Sequence, residues 1–579
     1  MASELSSVRL FKNVGGINDN FDPIHIEDNQ ASDLLNVYFD RGSICKRPGS
    51  IKRNKTKVTL GTLGWTGLYD FQSQDGSTRK FIACTDDKVY YWKDATDEWQ
   101  DISDVAFTEA YWSFATFVNS SAASIAILTN GNEGVRKWTG SGNVAPLGGS
   151  PPFTKAKYLA VHNNQLIAAN CYESLWLPSR VRISDIKNGE SWQTNGYIDI
   201  AEDDDIITGI ISVKDMLVIF ERDHIYLANG FYPTNWTKHL AVNGVGCVAP
   251  RSIQIIESPQ YGRAIVYLAE DGLHIYQGGN SSPNISRILI ENTVRSLRDL
   301  KIENACSANY KKLGLYLLWV PTGSSDENNL LIVYDYINNA FSLWDIPASS
   351  AAIVENPSTD VPELFTGDYQ GFVLKQDQGN ADGGAGDNGT ATAAGATTLT
   401  DSTKAWTINE WQGVSVRIMA GTGLGQERVI VSNTATQLTV AAWAANPDTS
   451  SQYSIGFIKA HYQTKWFDYG VPERRKGNRK LEMVLAQEGN YDLEVWDKLD
   501  FASGEGARNT INLVASGDLL GSTFILGTSK LGGVSAFSKK ISMNGAGKFI
   551  QFKFQTLWEN QPFKIHGWTN HIKPLGLGE

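Results

Sequence analysis

Cysteine and methionine are scarce in this 579-residue chain, five of each, and the cysteines show no CxxC spacing and no cluster with histidine. Cys45, Cys84, Cys171, Cys247 and Cys306 therefore read as reduced structural thiols, with neither a zinc site nor a disulfide framework expected. No run of about 18 apolar residues occurs, and the opening MASELSSVRLFKNVGG lacks the apolar core of a signal peptide. The expectation is a soluble chain made in the cytoplasm, with no membrane insertion. Basic residues are outnumbered, 51 Lys and Arg against 62 Asp and Glu, which leaves a net charge of −11. Such a balance argues against tight wrapping of nucleic acid, which needs clustered cations, but suits a wall past which DNA slides. The eight histidines form no HExxH motif, and residues 421–425, GTGLG, lack the lysine of a phosphate loop and read as a turn.

What the chain has in abundance is aromatic and turn-forming residues: 17 Trp, 22 Tyr, 23 Phe and 54 Gly. This is an all-β composition. The clearest local unit is residues 330–346, LLIVYDYINNAFSLWDI, two apolar runs flanking Asn338 and Asn339. The asparagines predict a two-residue type I′ turn, and apolar residues on both faces predict a hairpin stacked between other sheets, with Trp344 buried between blades. Echoes begin at 88, 134, 181, 224, 272, 331 and 370. Their spacing is close to the roughly 40 to 50 residues of one four-stranded blade, so a β-propeller of about seven blades is expected over residues 56–377. Within it only residues 291–304, with Val294, Leu297 and Leu300 at helical spacing, read as a short surface helix.

Residues 1–55 read as an N-terminal arm and hairpin. A Gly- and Asp-rich linker opens the next section, 378–460, which continues as a small inserted β-domain whose expected core is Trp406, Trp411 and Trp443. Residues 461–579 read as a C-terminal β-sandwich-like region able to complete the propeller, because Ile550, Phe552 and Phe554 alternate with polar residues.

Three fragments look chemical. Residues 184–192, SDIKNGESW, approximate the turn of sialidase-type propellers and read as a structural hairpin. Glu202, Asp203, Asp204 and Asp205 are candidates for lining a channel; they lack the alternating spacing of a calcium loop. Arg474, Arg475 and Lys476 belong to the densest cationic run and are candidates for a subunit or phosphate contact. No catalytic, metal or cofactor-binding residue is assigned, and no cofactor is expected.

Two phrases near the start carry a resemblance: Gly15-Gly16-Ile17-Asn18 and the run NVYFDRGSICKRPG at residues 36–49. With Trp466-Phe467-Asp468-Tyr469-Gly470 and a closing Gly-Trp then Lys-Pro phrase, the chain resembles β-propeller tail proteins of bacteriophages, of the nozzle or tail tubular protein B type. The resemblance implies a non-enzymatic virion protein, synthesised in the host cytoplasm and placed in the viral tail. It implies a homohexameric ring around the DNA exit channel that holds the genome and then lets it pass. Its partners would be tail adaptor or portal-proximal proteins and tail fibres or spikes, with double-stranded DNA passing transiently and without sequence-specific binding. The alternatives are a tail-tip or fibre protein that binds host-surface glycan and, further off, a glycan-cleaving propeller enzyme.

Overall fold

The computed structural model describes residues 6–10, 15–200, 205–230, 235–356, 358–504, 506–514 and 536–575. Among these, strands dominate and helix is confined to one short α-helix and two 3-10 turns. The chain divides into two compact units. One gathers residues 1–51, 338–345 and 377–579, and the other holds residues 52–337 and 346–376.

In the second unit, small antiparallel sheets follow one another along the chain. The first runs Gly67–Gln72, Arg79–Cys84, Val89–Lys93 and Glu98–Asp101, each strand paired with the next. Later sheets open with Ser113–Val118, Lys155–His162, Ile207–Val213, Gln254–Ser258, Cys306–Tyr310 and Ser350–Glu355, and in each the first three strands again follow in sequence order. The seven positions at which the sequence pattern recurs all fall on or beside the third strand of these sheets. That strand carries the aromatic and aliphatic pairs most visible in a linear sequence.

The sheets pack in order because both of their faces are apolar. Phe71 and Ile82 of the first meet Leu128 and Trp138 of the second. Phe117 and Ile127 of the second meet Leu159 and Leu166 of the third. Similar clusters join the third to the fourth and the fourth to the fifth. Farther along, backbone-directed hydrogen bonds take over: Asn309 Nδ2 donates to the Ile255 carbonyl and Arg251 Nη1 to the Ser349 carbonyl. The seventh sheet then packs on the first, through Phe365 and Val373 against Trp65, Phe81 and Trp92. Trp65 has no exposed surface; its backbone N–H donates to Ser349 Oγ and its indole N–H to the Phe372 carbonyl.

The helix expected over residues 291–304 is interrupted. Glu291–Arg295 is α-helical and Asp299–Asn304 is a 3-10 turn, while Leu297 between them bridges to Thr322. Val294 is buried but Leu300 is 84% exposed, so the spacing does not lie on one face. The asparagine turn also differs from expectation. Strands end at Asp335 and resume at Ala340, so four residues turn the chain, and of the two asparagines only Asn339 takes a left-handed conformation. Ala340–Trp344 groups with the first unit, and Trp344 is buried there, 7% exposed, with its indole donating to the Val37 carbonyl.

The first unit contains two larger sheets that combine both ends of the chain. One orders Val37–Asp40, Ser43–Lys46, Lys564–Pro574, Lys476–Leu485 and Phe537–Ser542; the other orders Ala31–Leu35, Ala460–Thr464, Ile550–Thr556, Asp492–Leu499 and Ala507–Asn512. Trp568 from the first lies 5.1 Å from Phe554 and 6.3 Å from Tyr462 of the second, ring centre to ring centre. The inserted module forms its own sheet around Trp406, Trp411, Trp443, Val416 and Tyr453.

Residues 36–49 link these parts. Arg47, its side chain 1% exposed, forks onto Asp382 through Nη1–Oδ1 at 2.9 Å and Nη2–Oδ2 at 2.6 Å. Its Nε donates to Asn36 Oδ1 at 2.8 Å, and Asp345 stands 3.7 Å from Nη2. Asn36, left-handed at φ 54, donates through Nδ2 to Asp345 and to the Lys459 carbonyl. Gly49 has no room for a side chain, since a Cβ would stand 1.9 Å from the Ala381 carbonyl oxygen. The Gly-rich segment expected to be a linker is therefore anchored.

Lys46 is buried alongside and donates to Thr556 Oγ1 and the carbonyls of Trp558 and Gln561. These acceptors are neutral, so burial, with Arg47 beside it, pulls the ammonium down to about 7. An unfolded lysine keeps its proton to about pH 10, so the folded state binds fewer protons in between, and stability rises with pH across that window and is lost as pH falls through it. Denaturant titrations of wild type and Lys46→Met from neutral pH to pH about 10 should show wild type gaining relative to the variant, by up to about 1.4 kcal/mol per pH unit. A difference that stays flat would mean that Lys46 does not titrate in this range.

Candidate functional site

A concavity within the second unit lies among the first strands of its sheets. It has a volume of about 640 Å³ and is lined by Asp70 and Gln72 from the first sheet, Thr116 from the second, Ile211 from the fourth and Gln254 from the fifth. Asn309 and Lys311 follow from the end of the first strand of the sixth sheet, and Ile353 and Glu355 from the seventh. Asp70 Oδ2 accepts from Gln72 Nε2 at 2.6 Å and from the Glu355 backbone N–H at 3.1 Å. Burial nevertheless raises its pKa above the ordinary aspartate value. The lining includes no histidine or cysteine, so it offers no paired nucleophile and imidazole base. Its lining carries both signs of charge, Asp70 and Glu355 against Lys311, among aliphatic side chains.

The acidic run is divided by the structure. Glu202, Asp203 and Asp204 lie outside the described residues. Asp205 is not among the residues lining the cavity; its carboxylate caps the hairpin turn between Met216–Glu221 and His224–Asn229. Oδ1 accepts from the backbone N–H of Ile206 and of Arg222, while Oδ2 accepts from Asp223 N–H and faces His224 Nδ1, both at 3.1 Å. Burial raises this carboxyl, but the Asp223 N–H, the His224 ring and the other two amides outweigh it and hold the pKa below the ordinary value. Glu221 and His224, three residues apart across the turn, join Asp205 in a group whose ligand atoms lie within 4.8 Å of one another. His224 opens the strand His224–Asn229, and nothing in the linear spacing of the histidines marks it as part of a group. The signal that would have found the group is the pairing of an acid and a histidine at the two ends of a tight turn.

The cationic run is also divided. Arg474 and Arg475 are exposed, and Arg475 donates to the Ala546 carbonyl. Lys476 is fully buried, so its expected place in an interface is corrected: Nζ is held by the carbonyls of Asp468, Val471 and Lys548 at 2.6–2.8 Å. In residues 184–192, Asp185 accepts from the Ser191 hydroxyl and the Gln193 amide, and Trp192 meets Phe153 edge-on. This is the hairpin turn that the fragment suggested.

No family model matches the chain, and no curated protein matches it. Solved structures with loose similarity include the computationally designed Ika8 protein, at 12% identity and TM-score 0.33, covering 59% of this chain and 95% of that one. BBS1N in complex with ARL6DN, soaked with mercury, aligns at 11% identity and TM-score 0.36 over 57% of this chain and 97% of its own. Likeness at this level carries no argument about function.

The division of the cationic run is directly testable. Arg474→Ala should change stability by no more than about 0.5 kcal/mol. Lys476→Ala, which empties the buried lysine site and strips the donor from three part-buried carbonyls, should cost at least about 2 kcal/mol in chemical denaturation.

Proposed function

We propose that this chain is a structural protein of a bacteriophage tail, of the nozzle type, and that its second unit is a seven-bladed β-propeller. The observation that carries the reading is the role of residues 36–49. The run on which the resemblance rests is the one whose Asn36, Lys46, Arg47 and Gly49 bind the N-terminal hairpin, the 338–345 segment, the start of the insertion and the C-terminal strands into one unit. Residues that fix how distant segments assemble carry more weight for family resemblance than a lone surface hairpin would. The propeller reading is supported by the order of the small sheets and by the packing of the seventh on the first through Trp65.

The proposed mechanism is mechanical. Six copies, the number the resemblance implies, would form a ring on the tail axis, docked to an adaptor ring and to fibres or spikes, with a net negative wall that repels the passing phosphates. The finely divided sheets act as scaffold, and the loops and inserted module make the contacts.

One observation favours a second reading, glycan binding at the tail periphery. Trp176, 39% exposed, stands edge-on to Tyr172 with Lys157 Nζ 5.5 Å from its ring, on a hairpin that also exposes Leu175. An aromatic face of this kind can stack on a sugar ring.

Electron microscopy of the assembled particle separates the two. Sixfold rings on the tail axis, marked by an antibody or gold label on this chain, are expected. Labelled single copies around the periphery would overturn the nozzle reading, and retained binding to host glycan by those copies, lost on Trp176→Ala, would establish the second.

A further inference from the structure

Outside the cavity and the Arg47 centre, one group of side chains among the described residues has the composition of a metal-ligand site. Asp205 precedes the first strand of the fourth sheet, and Glu221 and His224 bracket the turn between its second and third strands. Strand pairing sets the geometry: the turn projects Glu221 and His224 to one side, and the three backbone amides on the Asp205 carboxylate fix it against them.

We propose that Asp205, Glu221 and His224 form a binding site for a divalent transition-metal ion of the zinc type. Two carboxylate oxygens and one imidazole nitrogen are borderline donors that suit zinc or cobalt better than calcium, which prefers six or more oxygens. A tetrahedral ion about 2.0 Å from each ligand sets its donors about 3.3 Å apart. Asp205 Oδ2 and His224 Nδ1 already stand 3.1 Å apart, Glu221 Oε2 lies 3.9 Å from the same nitrogen, and the three ligand atoms all lie within 4.8 Å of one another, so side-chain movement of up to about 1.5 Å closes the set. Glu221 has no exposed surface, whereas Asp205 and His224 are partly exposed, which leaves an approach for the ion and a fourth position for water.

Charge is consistent with this. Two carboxylates against one neutral imidazole total two negative charges, which a divalent ion balances, and carboxylates in a low-dielectric setting gain most from such a partner. On binding, the imidazole lone pair at Nδ1 goes to the metal. A proton that had occupied Nδ1 in the neutral ring moves to Nε2 by way of solvent, so no net proton or electron is lost. The ion would pin the segment before the fourth sheet to that sheet's own central turn. This site is independent of the tail reading, since it depends only on local geometry.

The test is titration of the full-length protein with Co(II), read by its visible absorption, followed by displacement with Zn(II), read by calorimetry. One ion per chain is expected, with affinity weakened at least tenfold in Glu221→Gln and in His224→Asn, both checked for wild-type circular dichroism. Absence of stoichiometric binding in the wild type, or binding unchanged in both variants, would overturn the proposal. Should a variant fail to fold, anomalous scattering at the zinc edge from wild-type crystals decides the matter: an ion between these three residues supports the site, and an ion elsewhere, or none, refutes it.

Discussion

The arrangement of the first unit depends on one buried cation. Arg47 is almost entirely withdrawn from water, and a guanidinium in that position is tolerable only with its fork filled. Asp382 fills it in two-pronged fashion, Asn36 takes the remaining Nε donor, and Asp345 adds a second negative charge nearby. Each partner comes from a different stretch of sequence: the N-terminal hairpin, the short segment after the asparagine turn, and the entrance to the insertion. A buried charge of this kind adds little net stability compared with a well-packed apolar replacement, but misplacing any partner is costly. It therefore specifies which segments meet, and Gly49 and Lys46 enforce the same meeting by close approach and by donated hydrogen bonds.

The second unit is held by a different logic. No single charge organises it; apolar faces on both sides of each small sheet make the next sheet an obligatory partner, and the series ends with the seventh sheet on the first. Trp65 is where the two ends meet, hydrogen-bonded to the Ser349 hydroxyl and the Phe372 carbonyl. Inward-facing positions are relieved of packing duty, so they can be polar, and the cavity with Asp70, Lys311 and Glu355 is the result.

What could be read from the sequence was whatever depends on local periodicity. Recurrence of a strand pattern identified the third strand of sheet after sheet, and the three tryptophans of the insertion were found as its core because aromatic residues in so short a module have nowhere else to go. What could not be read depends on partners distant in the chain. Trp344 looked like a blade residue by neighbourhood, yet its indole bonds to Val37, some three hundred positions earlier. Lys476 looked like surface charge because it sits in a cationic run, but three carbonyls enclose it. Asp205 looked like part of an acidic patch, whereas a turn seventeen residues later claims its carboxylate. Leu300 failed for the opposite reason: its spacing was helical, but the pairing of Leu297 with Thr322 broke the helix first.

If Arg47 specifies the assembly of the first unit, then its link to Asp382 should be strongly coupled energetically. A double-mutant cycle with Arg47→Met and Asp382→Asn, measured by equilibrium denaturation, tests this most directly. Asp382→Asn should cost about 3 to 5 kcal/mol, because it leaves the buried guanidinium without its partner, Arg47→Met should cost about 2 to 3 kcal/mol, because the carboxylates it orphans are only partly buried, and the double mutant should recover at least about 2 kcal/mol of the summed loss. Additive losses, or single changes costing less than about 1 kcal/mol, would show that the buried pair is incidental and contradict the account.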